Sequence, residues 1–203
     1  MFIKICGLST ADTVRTAVDA GADAVGFVFA AGSPRTVTAE QAARLAEAVP
    51  DAVETVGVFR DQPLREVVAM ARAAGLGTVQ LHGSEPDEHL EALADEGLRV
   101  IRALSAADYA RSSVERRRLL DSHRLIIDAA EPGAGVTFGE AELTERPEGF
   151  WLLAGGLTPE NAGRLVGVFR PSGLDVSSGV ESSRGVKDPR LIEAFIASAR
   201  AAS

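Results

Sequence analysis

Apolar and polar positions along the chain follow two alternating periods. Short apolar runs at 3–6, 23–29, 53–59, 78–81, 98–104, 125–129, 150–154 and 174–176 read as strands. Between them lie stretches with a helical stripe. Val14, Ala17 and Val18 form one, Leu64, Val67, Val68 and Ala71 another, and Leu191, Ile192, Phe195 and Ile196 the last. Local punctuation agrees. Ser9 with Asp12, and Thr38 with Gln41, are capping pairs. Pro63 suits the first turn of a helix, as do the Thr158-Pro159 and Asp188-Pro189 pairs. Ser84 and Pro86 open another. Gly21, Gly75 and Gly97 stand where helices close. The stretch 106–122 is helical but weakly patterned, and 140–144 reads as a short, poorly patterned helix.

Strand and helix alternate with no linker and no shift in composition. That order implies a parallel sheet with right-handed crossovers. Eight units share 203 residues, about 25 each, which fits a single (β/α)8 TIM barrel over 1–203. An open doubly wound sheet is the alternative, but no G-x-G-x-x-G follows the first strand.

Composition narrows the partners. A formal net charge of -8 argues against nucleic acid and anionic membrane. No apolar run approaches the ~18 residues of a membrane span, and no signal pattern opens the chain. The single cysteine excludes an internal disulfide framework and fits a reducing compartment. A cytoplasmic monomer is expected. An anionic ligand would need a local pocket of N–H groups and basic side chains.

Barrel chemistry gathers at the C-terminal ends of the strands. Those ends supply Cys6, Arg35, His82, Asp128, Gly155-Gly156 and Ser177-Ser178-Gly179. Cys6 reads either as a small buried hydrophobe or as a thiol shifted toward thiolate by Lys4 and a helix start. The last two loops are rich in glycine and lie beside helix starts, which suits a phosphate. Arg35 is a surface arginine or a fork for a carboxylate. Asp128 braces its loop or serves as a general acid with a pKa raised by desolvation. His82 is a wall histidine as readily as a site residue. The Arg116-Arg117-Arg118 run reads as a solvated face. No His, Cys and carboxylate spacing suggests a metal.

The ordered set of motifs resembles the phosphoribosylanthranilate isomerase family. The matching segments are Lys4-Ile5-Cys6-Gly7, Ser33-Pro34-Arg35, Val56-Gly57-Val58-Phe59, Gln80-Leu81-His82-Gly83, Leu153-Ala154-Gly155-Gly156-Leu157 and Asp175-Val176-Ser177-Ser178-Gly179-Val180-Glu181, with Gly185-Val186-Lys187-Asp188 after them. The resemblance implies a cofactor-free Amadori rearrangement of N-(5-phosphoribosyl)anthranilate in tryptophan biosynthesis. It implies Asp128 as the general acid and Cys6 as the general base. It gives Arg35 the anthranilate carboxylate, and Gly155, Gly156, Ser178 and Gly179 the phosphate. His82 and Asp175 are candidates for the pocket wall. The chain departs from the family pattern at Pro132-Gly133-Ala134-Gly135-Val136-Thr137-Phe138, where a hydroxyl, a polar side chain and an aromatic are missing. The rival readings are a histidine-pathway or bifunctional sugar isomerase and a barrel that binds sugar phosphate without chemistry.

Overall fold

The computed structural model describes residues 1–128, 143 and 145–202. Its strands are β1 (Phe2–Cys6), β2 (Ala24–Val28), β3 (Glu54–Phe59), β4 (Thr78–Leu81), β5 (Arg99–Ser105), β6 (Arg124–Asp128), β7 (Trp151–Ala154) and β8 (Gly173–Val176). They pair in sequence order, all parallel, and β8 closes on β1. The helices are α1 (Ala11–Asp19), α2 (Ala39–Ala46), α3 (Leu64–Ala73), α4 (Glu88–Asp95), α5 (Ala106–Arg111), α6 (Val114–Asp121), α7 (Ala162–Phe169) and α8 (Pro189–Ala201). The fold is the (β/α)8 barrel expected from the alternating pattern.

Side chains alternate across each strand, so each strand feeds two cores. Ile3, Ile5, Val25, Phe27, Val79, Leu81, Leu153 and Leu174 point outward and pack under the helices. Ala24, Val56, Ile101, Ile126 and Leu152 point inward and fill the barrel. Small residues at 24 and 26 on the inner face leave room for long polar side chains from neighbouring strands. The lower end of the barrel is closed by charge. Glu54 accepts from Thr78 Oγ1 at 2.6 Å and from Arg124 Nη1 at 2.7 Å. The Arg124 guanidinium lies 4.9 Å from the Phe2 ring and 5.0 Å from the Phe150 ring, so cation–π contact seals that end.

Several helix signals act as read. Thr38 and Gln41 form the capping box of α2. Asp188 caps α8, with Pro189 in its first turn. Gly21, Gly75 and Gly97 have φ values of 93°, 64° and 78°, a region open to glycine and costly for other residues. Three expectations change. The cap of α1 is Thr10, not Ser9, because its side chain accepts from Thr13 N. The stretch 106–122 is two helices, since Ser113 starts a new one by accepting from Arg116 N. Thr158-Pro159 opens a turn rather than α7, whose N-cap is Asn161. The arginine run is tied down: Arg116 Nε bonds Asp87 Oδ2 at 2.6 Å and Arg117 Nη1 lies 3.1 Å from Glu145. The expected helix at 140–144 and the loop 132–138 fall mostly or wholly outside the described residues.

Candidate active site

The barrel mouth gathers residues from strand ends far apart in sequence. Cys6 is the last residue of β1 and is 7% exposed, packed with Val28, Ala30 and Val58. Asp128 is the last residue of β6, three strand steps around the ring. The two face one mouth because each ends its strand on the inner side.

The thiol differs from the expectation. Burial pushes the Cys6 pKa up, and attraction to Lys4 and Lys187 does not offset it. In the free protein Cys6 is therefore held as a thiol, not poised as a thiolate.

His82 follows β4, with Nε2 4.0 Å from Asp128 Oδ2. Its Nδ1 lies 3.1 Å from the amide nitrogen of the fully buried Gln80. Part of the ring opens to the mouth, yet the barrel wall around it desolvates the charged form and pushes its pKa down. It stands as a neutral imidazole beside Asp128. Asp175, the other candidate for the pocket wall, is the last polar residue of β8 before Val176. It is buried, and its Oδ1 accepts from Lys4 Nζ at 2.8 Å.

Arg35 sits over Gly7. A Cβ at Gly7 would meet Arg35 Cδ at 2.6 Å, so the bare Cα is the seat of the arginine stem. The guanidinium fork holds Glu181, with Nε to Oε1 at 2.6 Å and Nη2 to Oε2 at 2.8 Å. Glu181 also accepts from Lys187 Nζ at 2.8 Å and Gly185 N at 2.9 Å. Burial opposes its ionisation, but these bonds from Arg35, Lys187 and Gly185 bring its pKa down to about 2. Arg35, Ser178, Glu181, Ser183 and Arg184 border one cleft of about 590 Å³.

The loops after β7 and β8 interlock. Gly155 and Gly156 have φ values of 91° and 61°. Asn161 Nδ2 donates to the Gly156 carbonyl at 2.9 Å, and its Oδ1 accepts from Thr158 N at 2.8 Å. Ser178 and Gly179 open a short 3-10 turn, Ser178–Val180. Among the described residues, no backbone carbonyl accepts the N–H of Gly156, Ser178 or Gly179. These N–H groups, from two adjacent loops, are thus left without a backbone acceptor at the barrel mouth. Lys187 Nζ donates to the Ser177 carbonyl at 2.8 Å and steadies the second loop.

The family model described as N-(5'phosphoribosyl)anthranilate (PRA) isomerase matches residues 3–198. The chain belongs to the N-(5'-phosphoribosyl)anthranilate isomerase family. The isomerase of Paramagnetospirillum magneticum is 41% identical, with 98% of this chain and 96% of that protein covered. The crystal structure of TrpF from Jonesia denitrificans is 40% identical with a TM-score of 0.88, covering 100% of this chain and 98% of that one. A phosphoribosyl anthranilate isomerase solved with reduced 1-(o-carboxyphenylamino)-1-deoxyribulose 5-phosphate is 33% identical with a TM-score of 0.84, covering 99% of both chains.

Within this isomerase fold, sequence reasoning missed Asn161, which shapes the Gly156 loop, and the Glu181–Lys187 pair. The latter lie opposite each other on a hairpin, β9 (Glu181–Ser183) and β10 (Val186–Lys187). Its turn glycine, Gly185, has a φ of 85°, and the Ser-Arg-Gly stretch before β10 was the available signal. Arg102 and Glu85 were also missed. Their buried pair, 2.8 Å from Nη1 to Oε2, ties β5 to the loops after β3 and β4 through Gly83 N and Asp61 N. Among the described residues no cluster of three His, Cys, Asp or Glu stands ready for a metal, and no helix is long and apolar enough to cross a membrane.

Gly179 has a duty besides any ligand. A Cβ there would lie 1.7 Å from the Leu157 carbonyl oxygen, which is backbone and cannot swing aside. Gly179→Ala is expected to cost ~1–3 kcal/mol by overpacking, lowering Tm by roughly 2–12 °C. Thermal unfolding followed by circular dichroism checks this, and an unchanged Tm would show that the two loops do not interlock.

Proposed function

We propose that the mouth isomerises N-(5'-phosphoribosyl)anthranilate by general acid–base catalysis, with Asp128 as acid and Cys6 as base. The reaction belongs to tryptophan biosynthesis and converts an aminoaldose to an aminoketose. Asp128 gives its proton to the ribose ring oxygen as the C1–O bond breaks, and the anthranilate nitrogen supplies electrons to form the Schiff base. Cys6, as thiolate, takes the C2 proton to give the enolamine. Tautomerisation of the enolamine yields 1-(2-carboxyphenylamino)-1-deoxyribulose 5-phosphate. No atom enters or leaves the substrate, so the chemistry calls for no cofactor.

The observation that carries this reading is the placement of Cys6 and Asp128 at two strand ends of one mouth, beside the N–H groups of Gly156, Ser178 and Gly179. These N–H groups suit the 5-phosphate as an anion nest, and Gly155 gives the first loop its close approach. His82, neutral and 4.0 Å from Asp128, suits a neighbour that eases loss of the Asp128 proton without adding a full charge. The test is direct. Purified protein given the substrate should change its anthranilate-type fluorescence as product forms, and no change would reject the activity.

Arg35 is assigned the anthranilate carboxylate. Glu181 already fills one edge of its fork, and Nη1 has no hydrogen-bond partner among the described residues. Glu181 thus holds the guanidinium still while the other edge meets the substrate. Arg35→Met is expected to lower kcat/KM by ~2–3 kcal/mol, about 30- to 150-fold, mostly through KM. Part of that loss comes from leaving the Glu181 carboxylate beside the substrate carboxylate. Adding Glu181→Gln to Arg35→Met should recover some affinity, and a KM unchanged by Arg35→Met would remove Arg35 from the site.

The same geometry favours the tryptophan substrate over the larger histidine-pathway one, which carries a second phosphate. Pro34 offers no N–H in the loop after β2. The hairpin turn at Gly185 packs on it, and a Cβ at Gly185 would lie 3.0 Å from Pro34 Cβ. A far phosphate there meets no row of donors and bears the cost of desolvation. Assay of both substrates on one preparation decides this: comparable kcat/KM values would favour a bifunctional enzyme.

A further inference from the structure

Cys6 does not stand by itself on the inner face. Lys4, two residues earlier on the same strand, is 0% exposed, and its ammonium bonds Asp175 Oδ1 at 2.8 Å. Lys4 and Asp175 are register partners across β1 and β8. The same ammonium lies near enough to the Cys6 sulfur to favour its anionic form. Room for this comes from β2, where Gly26 is the partner of Cys6. A Cβ at Gly26 would lie 3.1 Å from Cys6 Sγ and 3.3 Å from Lys4 Cε. One bare Cα therefore lets the thiol and the lysine stem lie side by side.

A buried ion pair of this kind is a costly way to fill a barrel. Desolvating two charges often offsets their attraction, and well-packed apolar residues of the same volume do as well or better. The surrounding inner face is built largely of Ala24, Val56, Ile101, Ile126 and Leu152, with the neutral Thr78 and Gln80 of β4 among them. Packing alone gives no reason for Lys4 and Asp175. Their position directly under the sulfur gives one.

We propose that the Lys4 ammonium is the counter-ion of the Cys6 thiolate, seated by Asp175 and by the bare Cα of Gly26, and that this arrangement sets the pH at which Cys6 becomes negative. Lys4 is a positioning residue, since the sulfur and not the ammonium meets the substrate proton. The catalytic consequence rests on Cys6 as the base; the electrostatic link does not.

The charges around the sulfur are few. Lys4 comes from its own strand, Asp175 from β8 and Lys187 from β10. Arg35 reaches it from the loop after β2 and is matched by Glu181 of β9. Gly26 and Val28 of β2 bring none. Burial opposes the Lys4 charge, but Asp175 and Cys6 more than offset this and hold it protonated. Asp175 disfavours a thiolate, whereas Lys4 favours one. Neutralising each must shift the thiol in opposite directions.

The chain has one cysteine, so thiolate ultraviolet absorbance reports Cys6. The single tyrosine, Tyr109, is pushed far above its ordinary range by burial and by Asp121, which keeps its signal clear. Titration of full-length Lys4→Met should move the thiolate transition up by about one pH unit or more, a tenfold loss of thiolate at fixed pH. Asp175→Asn should move it down. Opposite shifts are what general disruption of packing does not produce. No shift in Lys4→Met, or shifts of the same sign in both variants, would overturn the inference. Should Lys4→Met fail to fold, Lys4→Gln is titrated in its place, and a transition that does not rise overturns the inference. The acidic limb of kcat/KM is recorded alongside. Opposite thiolate shifts that kcat/KM does not follow would keep the counter-ion and reject Cys6 as the base.

Discussion

Asp128→Asn is expected to leave the barrel folded and to lower kcat by about 10²–10⁴-fold, the usual worth of a general acid. The side chain is about one-third exposed at the end of β6, so an isosteric amide disturbs little packing. The backbone pairs of Asp128 with Ser105 and Ala154 do not involve its carboxyl group. Ring opening does. The ribose oxygen leaves C1 as an alkoxide unless a proton arrives, and an amide has no proton acidic enough to give. His82 lies 4.0 Å away but is kept neutral by desolvation, so it is a weak substitute donor. Binding should survive, because the phosphate nest and Arg35 are untouched. Titration with the reduced product analogue and single-turnover kinetics separate the two effects. A variant that turned over within a few-fold of the parent would move the acid elsewhere, with His82 next to be tried.

What could be read in advance divides along the range of the interactions. Caps, helix stops and strand runs are local, and each is written in a few consecutive residues. Thr38 with Gln41, Asp188 with Pro189, and Gly21 are of that kind. The strand order followed from alternation and handedness, which left the closed ring as the compact solution. That ring carries Cys6, Asp128 and the glycine loops to one mouth without knowledge of any contact. Contacts that cross the ring were hidden. Lys4 and Asp175 are 171 residues apart, and Arg35 and Glu181 are 146 apart. A lysine inside an apolar run reads as a strand interruption until its partner is placed beside it. The direction of the Cys6 shift was misread for the same reason. Proximity to Lys4 was visible in the sequence, but the depth of burial and the nearby Asp175 charge were not. Gly179 shows a subtler case. Its residue type matched a phosphate loop, whereas its contact with the Leu157 carbonyl is a packing demand that only the folded loops reveal.

Cys6→Ser is expected to fold and bind substrate while losing about 10²–10⁴-fold in kcat. Serine replaces the thiol with a smaller group of similar shape, and the wall of Val28, Ala30 and Val58 stays in place. Lys4 keeps its bond to Asp175 Oδ1, so no buried donor is stranded. Its conjugate base lies far beyond reach at neutral pH, so removal of the C2 proton becomes the slow step. Ring opening by Asp128 is unaffected, and KM should change little. Substrate deuterated at C2 should then show a full primary isotope effect in the variant. The pH profile adds a second check. Burial holds the Cys6 pKa above its ordinary value, so parent kcat/KM should rise with pH through the neutral range, until the thiol is ionised. Cys6→Asp places a group there that ionises at lower pH, which should restore part of the activity and move the acidic limb down. Wild-type turnover in Cys6→Ser, or an acidic limb that stays fixed in active Cys6→Asp, would remove Cys6 from the chemistry.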